Sequence, residues 1–111
     1  MQKESRHFPL AKARSAPLTP NDISSLLLSH GTMTLEFYAP RGTDAQTPHS
    51  KDEIYIIMKG SGWFRSGSDR FAVAQGDALF VPAGVAHRFE DFGEDFDTWV
   101  IFYGPEGGEI P

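Results

Sequence analysis

Eleven glycines and eight prolines are spread along these 111 residues rather than gathered in one place. Proline fixes φ and removes a backbone donor, and glycine loosens the chain, so punctuation at this density breaks helices repeatedly. What it permits is a series of short strands joined by turns, and the intervening segments have that character. Met33, Leu35 and Phe37 alternate with Thr34, Glu36 and Tyr38, the period-two pattern of a half-buried strand, which Pro40, Arg41 and Gly42 end. Ile54–Lys59 is β-branched and aromatic and runs into Gly60-Ser61-Gly62. Trp63–Ser66 and Arg70–Ala74 flank the short connection Gly67-Ser68-Asp69, which reads as a hairpin. Gln75-Gly76-Asp77 makes the next turn, with Asp77 stabilising the corner; Ala78–Val81 stops at Pro82. Ala86–Glu90 and Thr98–Tyr103 complete the series.

Seven or eight short strands with hardly any helix mark an all-β sandwich or closed barrel. Residues 1–20 carry Pro9, Pro17 and Pro20 and read as an irregular arm or edge strand. Residues 21–29 leave open a single helical turn capped by Asp22. The rings of Phe37, Phe64, Phe71, Phe80, Phe89, Trp99 and Phe102 fall in predicted strands and are expected to pack in the core.

A chain of this length forms one domain and hides roughly two-thirds of its unfolded surface. It contains no cysteine, which excludes disulfides, thiolate nucleophiles, Cys-ligated zinc and iron–sulfur clusters. The apolar runs are too short for a membrane helix, and the N-terminal segment lacks the apolar core of a secretory signal, so a cytoplasmic location is expected. The formal net charge of -5 is uneven. Lys3, Arg6, Lys12 and Arg14 make the N-terminal arm basic, whereas Glu90, Asp91, Glu94, Asp95, Asp97, Glu106 and Glu109 face no base in the last stretch. A short proline-containing basic arm is no nucleic-acid surface. The acids of Glu90–Asp97 lack the spacing of a calcium loop and are expected to form an exposed hairpin, with Phe92 and Phe96 packing over a barrel end or against another subunit.

Without cysteine, a metal would need His, Asp, Glu or neutral oxygen donors. His49 and Glu53 stand four residues apart, so in extended geometry both point to one face, which Tyr55 and Ile57 continue. His87 follows the turn Pro82-Ala83-Gly84. Two imidazoles and a carboxylate would leave coordination positions open for water or substrate. His7 and His30 lie elsewhere. Gly60 and Gly76 fall where turns need positive φ or close backbone approach.

These residues bring a family into view. The segment Thr47-Pro48-His49-Ser50-Lys51-Asp52-Glu53, six residues and Gly60 resembles the first cupin motif, Gly, five residues, His-x-His, three or four residues, Glu, six residues, Gly. Gly76, Pro82, Gly84 and His87 match every spacing of the second motif, with Asp91 at its final Asn position. The fifteen residues between Gly60 and Gly76 match the short linker of microbial members. The resemblance is to a small single-domain bacterial cupin and covers residues 32–104. It implies a jelly-roll barrel, or double-stranded β-helix, with residues 1–31 as an N-terminal arm or edge strands and 105–111 as a C-terminal tail. It further implies a divalent transition metal ion (Fe, Mn, Ni or Zn) held by His49, Glu53 and His87. The family's leading histidine falls on Thr47, a poor donor, and Gly42 is one residue too close to that position. The Gln46 amide is a possible substitute, but strand parity turns it away.

Two functions follow as expectations. One is a metal-dependent enzyme, of dioxygenase or isomerase/lyase type, acting on a small organic molecule in the barrel, with Tyr55 as a proton donor. The other is a non-catalytic module binding a small ligand or metal, which the loss at Thr47 favours. Arg41 and Arg88 are candidates for an anionic substrate, though alternation directs Arg88 away from the His87 face. Met58, Trp63 and Trp99, with Tyr55, are either pocket-lining or packing residues. A homodimer is expected, built on sheet faces or an exchanged arm over residues 5–12 with Phe8 and Leu10; nucleic-acid and membrane partners are not.

Overall fold

The computed structural model describes residues 6–18, 24–44 and 46–111. Among the described residues eight strands follow one short helix: α1 (Leu10–Ser15), β1 (Ser25–His30), β2 (Met33–Tyr38), β3 (Asp52–Lys59), β4 (Ser61–Ser66), β5 (Asp69–Ala74), β6 (Ala78–Val81), β7 (His87–Glu90) and β8 (Asp97–Tyr103). They form a five-stranded sheet in the order β1-β2-β8-β3-β6 and a three-stranded sheet in the order β5-β4-β7. Every pairing is antiparallel, and the neighbours are largely non-consecutive in sequence, which is the jelly-roll arrangement. No helix among the described residues is long and apolar enough to cross a membrane.

Register sets the interior. Glu53, Tyr55 and Ile57 of β3 face Phe102, Val100 and Thr98 of β8, while Glu53 and Tyr55 also sit opposite Val81 and Leu79 of β6. In the smaller sheet Phe64 pairs with Phe89 and Ser66 with His87. The fully buried side chains of Tyr55, Ile57, Phe64, Phe89 and Phe96 thus meet between the sheets. Each such side chain contributes about 1.5–3 kcal/mol by leaving water. Gly60 adopts φ 88°, and a Cβ there would stand 3.2 Å from the Phe96 backbone, so the turn needs glycine twice over.

Several expectations are corrected. Part of the N-terminal arm is helical: Leu10–Ser15 forms α1, seated on its own barrel through buried Ala13 and the Arg14–Asp97 ion pair. Ser25–His30, which the sequence leaves open between a helical turn and an edge strand, is the edge strand of the larger sheet, its ladder with β2 fixing the extended form; Asp22 lies outside the described residues. Phe71 and Phe80 are exposed, at 42% and 56%. Alternation explains Phe80, since its neighbours Leu79 and Val81 take the inward positions. The stretch from Glu90 to Asp97 is not simply an exposed acidic hairpin. Phe96 and Asp97 are buried, and Glu90 is drawn into a cluster with Arg65, Arg70 and Arg88.

Candidate metal centre

Backbone ties align the segments that carry the site before any side chain is considered. Gly84 N–H, in the turn ahead of β7, donates to the His49 carbonyl at 2.7 Å. Asp52 accepts from Ala83 N–H at 3.0 Å and from Glu109 N–H at 2.9 Å, and Gly107 N–H donates to the Ser50 carbonyl at 2.6 Å. The loop before β3, the turn before β7 and the end of the chain are thereby fastened together.

Within this frame His49, Glu53 and His87 converge, one possible ligand atom from each lying within 4.8 Å of the others. Glu53 is 1% exposed, and neither carboxylate oxygen receives a hydrogen bond. His87 Nε2 is 3.0 Å from Glu53 Oε1 and His49 Nε2 is 4.0 Å from Oε2, contacts of ion-pair length without hydrogen-bond geometry. The other ring nitrogen of His87, Nδ1, lies 2.9 Å from the Val85 carbonyl. A carbonyl only accepts, so the proton of the neutral ring sits on Nδ1 and the Nε2 lone pair faces Glu53.

The two imidazoles are perturbed in opposite directions. Burial holds His49 below its ordinary pKa, with Glu53 only partly offsetting it. Burial works to lower His87 as well, but Glu53 and the Val85 carbonyl outweigh it and the pKa is raised. Tyr55 is held well above its ordinary value by burial and then by Glu53, so it remains a phenol at neutral pH. Its hydroxyl donates to Gln46 Oε1 at 2.7 Å and lies 3.2 Å from His87 Nε2.

Gln46 is the main correction. Strand parity does not apply to it, because residues 46–49 are coil, and its amide reaches the site while Thr47 is exposed. Sequence reasoning also missed Asp44 and Tyr38. Asp44 is buried and accepts from Tyr38 Oη, Phe89 N–H at 2.8 Å and Gln46 Nε2 at 2.7 Å. Burial and Asp44 push the Tyr38 phenol far above its ordinary range. A pair of polar residues two apart, Asp44 and Gln46, was the available signal. Arg88 is directed outward as alternation implies and pairs with Glu90. Arg41 serves Asp97 and the Phe96 carbonyl. Trp63 lies outside the site, under the Arg70 guanidinium, and Trp99 packs edge-on against Phe37. His7 and His30 lie outside the cluster.

A cavity of about 40 Å³ adjoins the cluster, bounded by Glu36, Tyr38, Gln46, Val100 and Phe102 as well as His49, Glu53 and Tyr55. A wider cleft of about 340 Å³ opens on the His87 side between Gln46, Pro48, Arg65 and Arg88.

Known proteins resemble the chain at the level of fold and of its central segment. Residues 34–101 match the cupin domain family. An uncharacterized protein of Streptomyces coelicolor is 42% identical over 64 residues, which cover 58% of this chain and 61% of that protein. Acireductone dioxygenase of Drosophila melanogaster is 44% identical over 46 residues, 37% of this chain and 25% of the enzyme. The chain therefore spans less than two-thirds of the first and about a quarter of the second. A Cupin 2 conserved barrel domain protein from Salinispora arenicola superposes with a TM-score of 0.69 at 19% identity, over 92% of this chain and 91% of that one. With more than half of the sequence matched and the double-stranded β-helix in place, the chain belongs to the cupin family.

Proposed function

We propose that the chain is a metal-binding cupin in which His49, Glu53 and His87 hold a divalent transition metal ion, and that it is a metal-dependent enzyme acting on a small organic molecule. The observation that carries this reading is Glu53: a buried carboxylate with no hydrogen-bond donor, flanked by two imidazole nitrogens. A buried carboxylate whose close partners are two imidazoles is costly to hold in the interior while those rings are neutral, and a cation between the three groups would satisfy all of them. The donor set is purely nitrogen and oxygen, which suits iron, manganese, nickel or zinc. When bound, a redox-active ion would supply dioxygenase chemistry and a redox-inert one Lewis-acid chemistry of isomerase or lyase type. The similarity to acireductone dioxygenase supports the first of these.

The chain's own groups divide the remaining work. Val85 fixes the His87 tautomer, and Phe102 packs edge-on to His49 with ring centroids 4.7 Å apart, restricting the ring. Tyr55 keeps its proton at Oη beside the ligands and is the group positioned to deliver it to a substrate. Substrate approaches through the cleft on the His87 side.

One observation favours a second reading, a non-catalytic module that holds a metal or small ligand. The cavity beside the ligands, about 40 Å³, accommodates an ion with a water but no organic substrate unless side chains move. Metal analysis of the purified chain beside His49→Ala and His87→Ala tests the site: a stoichiometric ion in the parent and its loss in both variants is the expected result. Equal metal in all three would sink the ligand set. Oxygen consumption by the iron-loaded protein with diols, thiols and phenols then separates enzyme from binding module. A cytoplasmic homodimer associating through sheet faces completes the proposal, and a concentration-independent monomer mass in light scattering would overturn the dimer.

A further inference from the structure

We infer that the side-chain oxygen of Gln46 is a fourth protein ligand of the metal centre, taking the place left open at Thr47. This rests on the metal-binding reading above and adds to it a donor from a different position in the motif. The orientation of the amide follows from chemistry rather than from choice. Asp44 accepts and cannot donate, so the group 2.7 Å from its Oδ2 must be the Gln46 NH₂. Oε1 is thereby turned to the opposite side, where Tyr55 Oη donates to it at 2.7 Å. A carbonyl oxygen has two lone pairs, and Tyr55 takes one.

The second lone pair has a metal ligand as its neighbour. His49 Nε2 stands 3.3 Å from Gln46 Oε1, and His87 Nε2 stands 3.0 Å from Glu53 Oε1. Ions with ligand bonds of roughly 2.1 Å place adjacent donors about 3 Å apart, so both separations suit two atoms sharing one ion. An imidazole that coordinates through Nε2 has no proton there to give Gln46, which leaves a cation as the partner the two atoms share. Thr47 is exposed, so the position where the family carries its leading histidine does not contribute.

Asp44 makes the arrangement rigid. Its carboxylate is held by Tyr38 Oη and by Phe89 N–H of β7, the strand that also carries His87. Asp44 is thus a positioning residue: it acts on the metal only through the amide it turns.

The test is a Co²⁺ titration of the EDTA-treated full chain, following the visible absorption bands. Gln46→Ala is expected to bind at least ~10-fold more weakly, with altered bands as water takes the vacated position. Asp44→Asn, which frees the amide to turn over, is expected to weaken binding too, with no further loss when combined with Gln46→Ala. Thr47→Ala is expected to match the parent, and His87→Ala to lose binding. Circular dichroism of each metal-free variant checks folding, with Gln46→Leu as the replacement should Gln46→Ala not fold. A Gln46 variant that matches the parent in affinity and bands, while His87→Ala loses binding, overturns the Gln46 assignment and leaves the metal centre standing. Weaker binding with unchanged bands also overturns it, reducing Gln46 to a support for His49. A parent chain that takes up no Co²⁺ defeats the metal centre itself.

Discussion

Two buried carboxylates, Asp44 and Glu53, stand on either side of Gln46 and could hardly be treated more differently. Asp44 receives hydrogen bonds from Tyr38, from the Gln46 side chain and backbone, and from Phe89 N–H. Glu53 receives none. The other buried acids follow Asp44: Asp52 ties two backbone amides, and Asp97 pairs with Arg14 and Arg41. A fold able to satisfy three buried carboxylates has the means to satisfy a fourth. The exception therefore marks a place where a donor is withheld so that something else can bind.

Removing the satisfied member should hurt most. Asp44→Ala leaves Tyr38 Oη, Phe89 N–H and the Gln46 amide without their acceptor, and is expected to destabilise the chain by about 3–5 kcal/mol in urea titrations. A loss below about 1 kcal/mol would mean that water replaces the carboxylate and the contrast with Glu53 is empty. Asp97→Ala releases Arg14 and Arg41, both half-exposed, so a smaller loss of about 1–2 kcal/mol is expected. Proteolysis should then cut first near α1, which Asp97 anchors.

Glu53→Gln should act in the opposite sense. Without metal it replaces a buried carboxylate by a neutral amide, so at a pH above the raised pKa of His87, where both imidazoles are neutral, the EDTA-treated variant is expected to be about 1 kcal/mol more stable than the parent, with a higher Tm, while it fails to retain metal. A destabilised Glu53→Gln would place Glu53 among the structural acids. The smallest effect concerns Glu90, a surface carboxylate that Arg70, together with Arg88 and Arg65, holds at about 2 against an ordinary 4.5. A folded-state pKa below the unfolded one stabilises the fold above pH 4.5, and the benefit disappears as pH falls to 2. The Tm difference between the parent and Glu90→Gln should accordingly be full at pH 6 and vanish near pH 2.

The strand pattern was legible because alternation and Gly/Pro punctuation are local. Met33–Tyr38 and Ala78–Val81 emerge with the boundaries their turns dictate. Local signals do not reveal what covers a face: the strand pattern alone sends Phe80 to the core, whereas Leu79 and Val81 hold the inward positions. The convergence of His49, Glu53 and His87 was legible through motif spacing. Gln46 was not, because it lies in coil beyond the strand, where alternation ends and side-chain direction is set by contacts. Those contacts are with Asp44 and Tyr55, and nothing in the spacing of the three residues encodes them. The helix Leu10–Ser15 escaped for a similar reason. Six residues carry little helical preference of their own, and packing of Ala13 with the Arg14–Asp97 pair supplies what propensity lacks.

The backbone bond from Gly84 to the His49 carbonyl, with the fastenings at Asp52, has a kinetic meaning. Segments already fixed to one another have no ordering left to do when an ion arrives, so uptake should proceed at a pace set by the shedding of the ion's own water. Amide exchange in β3 and β7 should then be slow before metal is added and change little afterwards.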